Sequence, residues 1–358
     1  MSPLRPTRFL GCTLLLALVL LAGIALGNWW IDPLQHYRAA SYPPLLVEPS
    51  RFRNPGLARH FAGNAVVVGT SLSRQLTAAA IREEFGWEAL NLAMEGASAH
   101  EQFLVLRLAL RGGRVRDVIW DVNYEFLRGT PDWVSDYDGS FPAYLYDDRA
   151  LNDLPEYLWN IDTCKNSARV LLGRCGVAAY PRRTPEDFSA PALGAKFGRA
   201  AVERAWLRLW ERRGALHAQL PEYAGGQLRT SFAANYLALI RQYPEVRFHL
   251  YFPPYSAAYY DFLRAAEPGL IGVLVQNRAE VFAQTRGLPN VELHDLQRVR
   301  EITEDLRNYC DPIHYDPPTH RRVLGLLHSR KYLASEEGLR AFAERLRLLQ
   351  SAPSSAPR

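Results

Sequence analysis

The sequence is poor in lysine, methionine and cysteine, and it has a single long uncharged run. Lys165, Lys196 and Lys331 are its only lysines, so arginine supplies almost all of the 42 basic residues. These are interleaved with 37 acidic residues and leave a net charge of +5. Nucleic-acid-binding proteins show a clustered basic stripe, so a pI near 9.0 does not predict a nucleic-acid partner here. A single apolar run also excludes a transporter or channel with many spans.

The apolar content is that of a folded, globular chain. Of the 358 residues, 48% are hydrophobic and 11% are aromatic, which excludes a disordered or fibrous protein. With roughly 150 residues per domain as a prior, this length allows one large domain or two ordinary ones.

Residues 9–31 form a run long enough to cross a membrane. Arg5 and Arg8 precede the run, and two tryptophans lie at its far end. As a helix it is roughly 35 Å long, against a hydrocarbon core of about 30 Å. The pattern predicts a signal anchor in the cytoplasmic (inner) membrane, with residues 1–8 in the cytoplasm and the rest of the chain on the periplasmic or extracellular side.

Two points about this exported chain stay open. A cleaved signal peptide is the alternative to the anchor, because Ala25, Leu26 and Gly27 form a passable small-x-small cleavage site. Cys164 and Cys175 could form a disulfide outside the cytosol. A continuous helix between them would hold their sulfurs about 16 Å apart and prevent the bond.

Short strand-like runs, the first of them β-branched, alternate with helical periodicity over most of the chain after residue 60. Strands are predicted at 65–68, 87–92, 117–122, 246–252 and 291–294. Helices are predicted at 73–85, 99–111, 229–243, 259–285, 318–331 and 336–350. Strands separated by helices of about 10–15 residues predict βαβ units, and therefore an α/β fold with a parallel sheet.

The remaining segments predict the domain organisation. Residues 32–60 are Pro-rich and predict a linker between the membrane and one α/β domain at 61–350. Residues 124–225 break the α/β rhythm and are rich in Tyr, Trp, Asp and Pro, which predicts a partly helical insertion over one end of the sheet. The tail at 351–358 is small and polar, and it predicts disorder.

Residues with catalytic potential follow the first three predicted strands, and an Asp–His pair lies near the C-terminus. Ser71 follows the first strand, Gly96 the second and Asn123 the third, and Asp311 precedes His314 by three positions. The carboxyl ends of parallel strands are where such sheets bind ligands. A serine beside a histidine that a carboxylate orients is the arrangement of nucleophilic catalysis. Backbone N–H groups and an asparagine amide can stabilise an oxyanion.

Each of these residues also has an ordinary structural explanation when taken alone. Ser71 could cap a helix, Gly96 could belong to an ordinary loop, and Asn123 could end a strand in a turn. Ser73 is better placed than Ser71 to cap a helix that starts near Arg74. This leaves the Ser71 hydroxyl free, with its N–H at a helix N-terminus.

The order of these blocks resembles the SGNH (GDSL-like) hydrolase and acyltransferase superfamily, from about residue 64 to 330. Within it, the chain most resembles the membrane-anchored, exported branch that includes alginate O-acetyltransferase-like proteins. The resemblance implies a three-layer sandwich with a mostly parallel central sheet. It implies Ser71 as nucleophile, His314 as base and Asp311 as the residue that orients His314. The N–H groups of Ser71 and Gly96 and the side-chain amide of Asn123 would form the oxyanion hole.

Two blocks depart from the family pattern. The first reads Gly-Thr-Ser rather than Gly-Asp-Ser, and the third reads Asp-Val-Asn where the family has Gly-x-Asn. Asp121 therefore brings a carboxylate close to the expected site. The stretch at 251–256 after the fourth strand is similar to exopolysaccharide-linked members.

The resemblance implies an exported serine acyl enzyme that transfers or hydrolyses O-acyl groups, with acetyl expected, on a cell-surface or secreted polysaccharide. Tyr124, Tyr255 and Tyr315 are expected to contact this substrate, and an acyl-Ser71 intermediate is expected to form. No cofactor or metal is expected, and His294 is expected to be structural. An acetyl donor from the cytoplasm would require a multi-span membrane acyltransferase as partner, since this chain has one span.

Two other functions stay open. One is a catalytically silent glycan-binding or assembly subunit of a polysaccharide export system. The other is a simple lipase or thioesterase, which predicts a wide apolar groove. A distance of about 3 Å between Ser71 Oγ and His314 Nε2 would favour an enzyme over the silent subunit.

Overall fold

The computed structural model describes residues 6–45, 47, 49–135, 139–147, 153–174, 195–223 and 226–351. The backbone divides into two compact units. The anchor unit is drawn from Met1–His60 and Phe141–Pro185, and the sheet unit from Phe61–Ser140 and Glu186–Arg358.

The sheet unit contains a five-stranded, all-parallel sheet. Its strands are β1 (Ala65–Val68), β2 (Ala89–Asn91), β3 (Asp117–Asp121), β4 (Arg247–Phe252) and β5 (Val291–Asp295). They lie in the order β2-β1-β3-β4-β5. Val67 of β1 lies opposite Asn91 of β2 and Ile119 of β3. The predicted mixed α/β fold with a parallel sheet is therefore confirmed.

Two central strands, β1 and β3, follow from short apolar runs, Val66–Val68 and Val118–Trp120. β1 and β3 are buried along their whole lengths, as expected for a parallel sheet covered on both faces. Trp120 of β3 shows how closely one face is packed. Its ring stacks on Tyr236 with centroids 3.9 Å apart, and its Nε1–H donates to Gln102 Oε1 at 2.7 Å.

Helices connect the strands and continue beyond them. The α-helices of the described residues are α1 (Pro6–Ile31), α2 (Ser50–Arg59), α3 (Ala78–Phe85), α4 (Ala99–Arg111), α5 (Ile161–Leu171), α6 (Arg199–Glu211), α7 (Arg213–Ala218), α8 (Gln227–Phe232), α9 (Ala238–Gln242), α10 (Ala257–Ala266), α11 (Gly269–Thr285), α12 (Arg300–Thr303), α13 (Pro317–Ser329) and α14 (Glu336–Ser351). Short 3₁₀ segments occur at Tyr124–Leu127, Ala143–Leu145, Leu220–Tyr223, Leu296–Arg298 and Leu306–Asn308. Two π-helical segments occur at Leu154–Leu158 and Ala233–Leu237.

Local capping and proline chemistry explain where two predicted helices differ from the structure. The helix predicted at 73–85 begins only at Ala78, where the Thr77 side chain accepts the N–H of Ala80 as an N-cap. The helix predicted at 259–285 is two helices, α10 and α11. Pro268 lies between them, and proline disfavours helical backbone in the residue before it.

In the anchor unit, α1 is the described helix that is long and apolar enough to span a membrane, over Thr7–Ile31. Nearly all of its side chains are exposed, as a lipid-facing helix or a signal sequence requires. Its far end packs on later residues of the same unit. Asn28 Nδ2 donates to Leu158 O at 2.8 Å, and Ser167 Oγ donates to Asn28 Oδ1 at 2.8 Å.

Asp32 fixes the chain where it leaves α1. Its buried carboxylate accepts the backbone N–H groups of His36, Tyr37 and Arg38 and the hydroxyl of Tyr157. The start of the segment predicted as a linker is therefore folded onto the anchor unit.

The segments predicted as a linker and as an insertion both contain regular structure. The predicted linker 32–60 contains α2. Of the described residues in the predicted insertion, 141–147 and 153–174 belong to the anchor unit, and those before and after them belong to the sheet unit. Cys175, and with it the pairing to Cys164, lies outside the described residues. Residues 352–358 of the predicted disordered tail also lie outside them.

Gly69 permits a close backbone approach at the end of β1. Its φ is +149°, and a Cβ at this position would lie 2.3 Å from Asp121 Oδ2 and 2.7 Å from Ser73 Oγ. A side chain here would displace a buried carboxylate as well as strain the backbone.

We expect Gly69→Ala to lower the free energy of unfolding by at least about 3 kcal/mol, because backbone strain and the displaced carboxylate add. Gly86→Ala is the matched control, since Gly86 has φ +73° and open space at its Cβ position. It should cost only about 1–2 kcal/mol. Denaturant unfolding of the full chain in detergent measures both, and equal losses would show that the Asp121 contact is unimportant.

Candidate active site

Ser71 lies in a tight turn between β1 and α3. The N–H of Ser73 donates to Thr70 O at 3.1 Å, and the N–H of Arg74 donates to Ser71 O at 3.4 Å. The prediction that Ser73 caps a helix starting near Arg74 is wrong, because α3 begins at Ala78. The turn, rather than a helix terminus, positions the Ser71 hydroxyl.

Asp311 holds His314 in one orientation. Its Oδ1 accepts the backbone N–H groups of Ile313 and His314, each at 2.8 Å. Its Oδ2 lies 2.6 Å from His314 Nδ1. With a proton on Nδ1 to satisfy this carboxylate, Nε2 carries a free lone pair and can accept a proton.

The structure brings Ser71 and His314 together. Ser71 Oγ lies 2.8 Å from His314 Nε2, the separation of an O–H···N hydrogen bond. Burial disfavours the charged form of His314, but the Asp311 carboxylate, with Glu95 and Glu125, outweighs this effect and raises the pKa of the imidazole. The histidine is therefore a stronger base than an isolated imidazole.

The sheet order brings the other predicted residues to the same edge. Ser71 follows β1, and β1 is flanked by β2, which leads to Gly96, and by β3, which leads to Asn123. Asn123 Oδ1 accepts the N–H of Glu125 at 3.1 Å. Within the described residues, no hydrogen bond occupies Asn123 Nδ2 or the N–H groups of Ser71 and Gly96. These three donors remain available to an oxyanion.

Asp121 lies beneath the turn that carries Ser71. Its Oδ2 accepts the Thr70 N–H at 2.8 Å, the Thr70 hydroxyl at 3.1 Å and the Ser73 hydroxyl at 2.7 Å. The Tyr251 hydroxyl is 2.7 Å from Ser73 Oγ and completes the network. Burial raises the pKa of Asp121 to about 6, although these hydrogen bonds favour the carboxylate. Asp121, the residue at which the third block departs from the Gly-x-Asn pattern, thus stabilises the turn that carries Ser71.

A pocket of about 400 Å³ lies against Asp311 and His314. Aliphatic and aromatic side chains form much of its wall, among them Ala205, Leu209, Leu216, Phe262 and Leu263. Arg208, Arg212 and Arg213 also line it. The pocket therefore offers an apolar surface and cationic groups next to the histidine.

Glu125 lies in the same pocket and was missed by sequence reasoning. Its carboxylate accepts the Tyr259 hydroxyl, which is 2.6 Å from the Tyr124 hydroxyl. Burial raises the pKa of Glu125, although Tyr259 and Arg128 act in the opposite direction. The only sequence signal was its place two residues after Asn123.

The three tyrosines predicted to contact substrate are buried. Tyr124, Tyr255 and Tyr315 are 3%, 1% and 1% exposed, so no ring face is open to stack on a sugar. Tyr315 instead donates its hydroxyl to Leu72 O at 3.2 Å and braces the turn at Ser71. Large aromatic rings contribute most to stability when they are packed inside, which explains their burial, and the substrate contacts of these tyrosines stay a prediction.

The described residues also contain a group of potential metal ligands, His249, Glu292 and His294. They lie on β4 and β5 and share no residue with the site at Ser71. The sequence predicts no metal here, because the three residues have no recognisable ligand spacing.

Comparisons with known proteins give little information on the family. No protein-family model and no curated protein matches the chain. One solved structure that is similar is provisionally described as a platelet activating factor from Streptococcus pneumonia. It is 10% identical with a TM-score of 0.40, and the match covers 83% of this chain and 92% of that one.

Asp121 predicts a pH dependence of stability. A carboxyl whose pKa is near 6 when folded, against about 3.9 when unfolded, binds its proton more tightly in the native state. Stability is therefore lost as pH rises from about 4 to above 6, by about 2–3 kcal/mol. We expect Asp121→Asn to abolish this loss, measured as unfolding free energy at pH 4 and pH 8.

The control for this measurement is Asp162→Asn, which alters an exposed carboxylate that pairs with Lys165 in the anchor unit. It should keep the wild-type difference between the two pH values. If Asp121→Asn also keeps that difference, Asp121 is not the group responsible.

Proposed function

We propose that this protein is a serine acyl enzyme of the SGNH type, with Ser71 as nucleophile, His314 as general base and Asp311 as the residue that orients the base. The observation that carries the proposal is the continuous hydrogen-bonded series from Ser71 Oγ through His314 to Asp311, with distances of 2.8 and 2.6 Å. These are the contacts that an activated serine needs.

The proposal extends to the fold. The strand order supports an SGNH-like three-layer sandwich, with helices on both faces of the sheet. In that arrangement the loops after β2, β1 and β3 each contribute one oxyanion donor. Gly96 and Asn123, in the loops after the two flanking strands, would add two donors to the N–H of Ser71.

In the acylation step, His314 Nε2 takes the proton of Ser71 Oγ while this oxygen attacks the carbonyl carbon of an ester. The N–H groups of Ser71 and Gly96 and the Asn123 amide bind the oxyanion. Removing one such donor typically costs about 3–4 kcal/mol of transition-state stabilisation. The intermediate then collapses to acyl-Ser71, and the alcohol leaves with the proton held by His314.

In the deacylation step, His314 takes a proton from water or from a sugar hydroxyl, and the resulting oxygen nucleophile attacks acyl-Ser71. Water gives net hydrolysis and a sugar hydroxyl gives acyl transfer. The tetrahedral intermediate releases Ser71 Oγ, which recovers its proton from His314. The same side chains serve both reactions.

The substrate proposed here is the O-acyl, and chiefly O-acetyl, group of a cell-surface or secreted polysaccharide. The site would face the periplasm or exterior, with the chain held in the cytoplasmic membrane by α1. The length of α1 and the tryptophans Trp29 and Trp30 at its far end support a retained anchor over a cleaved signal peptide. A multi-span membrane acyltransferase would supply acetyl groups from the cytoplasm.

A second candidate is a hydrolase of esters or thioesters with longer apolar acyl chains. The pocket beside His314 favours it, because Leu209, Phe262 and Leu263 give that pocket an apolar wall. A pocket of about 400 Å³ is larger than an acetyl group needs. The silent glycan-binding subunit is less favoured, since nothing in simple binding requires the 2.8 Å contact between Ser71 and His314.

The test uses the full chain in detergent with 4-nitrophenyl acetate. We expect release of 4-nitrophenol and a Ser71-acyl adduct in the intact mass, and we expect Ser71→Ala to lose both. Ser329→Ala is the control, because its exposed hydroxyl bonds to Leu326 O at a helix end. Activity that survives in Ser71→Ala would refute the serine mechanism.

The same preparation separates the two substrate classes. A kcat/KM that is highest for acetyl and an acetyl group that moves to an added polysaccharide support the glycan enzyme. A kcat/KM that rises from acetyl to octanoyl esters supports the apolar-acyl hydrolase.

Asp311→Asn tests the orientation of the base. The asparagine Oδ1 can keep the backbone N–H groups of Ile313 and His314, which leaves its NH₂ facing His314 Nδ1. This favours the tautomer that carries its proton on Nε2, which cannot accept the proton of Ser71. We expect kcat to fall by about 10³–10⁴-fold near neutral pH.

The wild-type rate should rise with pH through an inflection above the ordinary histidine value, because the pKa of His314 is raised. Asp305→Asn is the control, since this carboxylate pairs with Arg307 on the preceding segment. A wild-type rate with no inflection, or an Asp311→Asn enzyme of normal rate, would contradict the assigned roles.

A further inference from the structure

Three side chains with metal-ligand donors meet on one face of β4 and β5. His249 lies opposite Glu292 in the strand register, and His294 follows Glu292 by two positions. His249 Nδ1 is 3.4 Å from Glu292 Oε2, and His294 Nε2 is 3.7 Å from the same oxygen. The three donor atoms all lie within 4.8 Å of one another.

These spacings suit a common ligand. Donors bound at about 2.1 Å in a tetrahedral zinc site lie about 3.4 Å apart. Two of the observed separations are close to this value. The third separation, between the two histidine nitrogens, is within 4.8 Å. It has to shorten only if the coordination is strictly tetrahedral.

His294 is the observation that points to a missing partner. Its side chain is completely buried, and neither ring nitrogen has a hydrogen-bond partner among the described residues. A buried imidazole without a partner costs free energy, so such groups call for an explanation. A metal ion on Nε2 would supply the partner of that nitrogen.

His249 is already oriented as a metal ligand would be. Its Nε2 is 3.2 Å from Asp117 Oδ1, and Asp117 is itself buried. A carboxylate on one ring nitrogen directs the other nitrogen to a metal and increases its basicity. Nδ1, the nitrogen that remains, is the one that faces Glu292 and His294.

Glu292 can serve as the third ligand without losing its present partner. Arg330 pairs with Oε1 at 3.1 Å, whereas Oε2 faces the two histidines. Glu292 is 24% exposed, so the cluster has a route to solvent. Trp87 packs on His249 with ring centroids 5.4 Å apart and supplies an apolar wall.

We infer that His249 Nδ1, His294 Nε2 and Glu292 Oε2 form a binding site for a divalent transition-metal ion of the zinc type. Two imidazoles and one carboxylate are donors that Zn²⁺ prefers. Each imidazole gives its lone pair to the ion, and a water can complete the shell on the exposed side. The site is independent of the chemistry proposed at Ser71.

The experiment titrates Zn²⁺ into the full chain in detergent after EDTA treatment, by calorimetry and by thermal unfolding. We expect one equivalent to bind the wild type and to raise its unfolding temperature. His294→Gln and Glu292→Gln should each weaken binding by more than about 100-fold. Asp117→Asn should weaken it about 10–100-fold, as removal of a partner that orients a ligand does.

His217→Gln is the control, because His217 pairs with Glu267 at an exposed position in the same unit. It should bind Zn²⁺ like the wild type. Glu292→Gln carries the test if His294→Gln fails to fold, since Glu292 is partly exposed. Cobalt absorption bands typical of nitrogen and oxygen ligands in the wild type, and lost in Glu292→Gln, would agree. Absence of saturable binding, or equal binding in Glu292→Gln and His217→Gln, would overturn the inference.

Discussion

Parallel pairing of β1 between β2 and β3 is the constraint on which the site depends. The backbone hydrogen bonds of these three strands bring their carboxyl ends to one edge of the sheet. Residues that follow the strands therefore lie at the same edge although they are far apart in the sequence. Ser71, Gly96 and Asn123 lie there for that reason. Only Asp311 and His314 come from a distant loop, and they hold each other through a local turn before His314 reaches Ser71.

The buried carboxylate of Asp121 shows how this arrangement is maintained. It binds the turn at Thr70 and Ser73 through three hydrogen bonds, and its other oxygen has no partner among the described residues. A buried carboxylate with an unsatisfied oxygen lowers stability. Such a local cost in free energy is common at functional sites, and here it lies next to Ser71, the proposed nucleophile.

The sequence predicts the parts of this structure that depend on local pattern. A β-branched run identifies β1, short apolar runs identify the strands after it, and the Asp-x-x-His spacing identifies a pair whose geometry is set within one loop. Prediction from the sequence fails where a side chain's surroundings depend on long-range packing. The sequence around Tyr124, Tyr255 and Tyr315 has no pattern that indicates that their rings are buried. The meeting of His249 with His294 depends on the register of β4 against β5, which no short motif encodes.

The contacts of Asn28 have a consequence for the maturation of the chain. Its partners Leu158 and Ser167 lie 130 and 139 positions later. At about 5–20 residues per second they emerge roughly 6–30 s after Asn28 itself. The end of α1 at Asn28 can therefore pack against its own unit only after both partners have been made. Packing of the anchor unit around this end of α1 is a late step of synthesis, although α1 itself is the first helix of the chain.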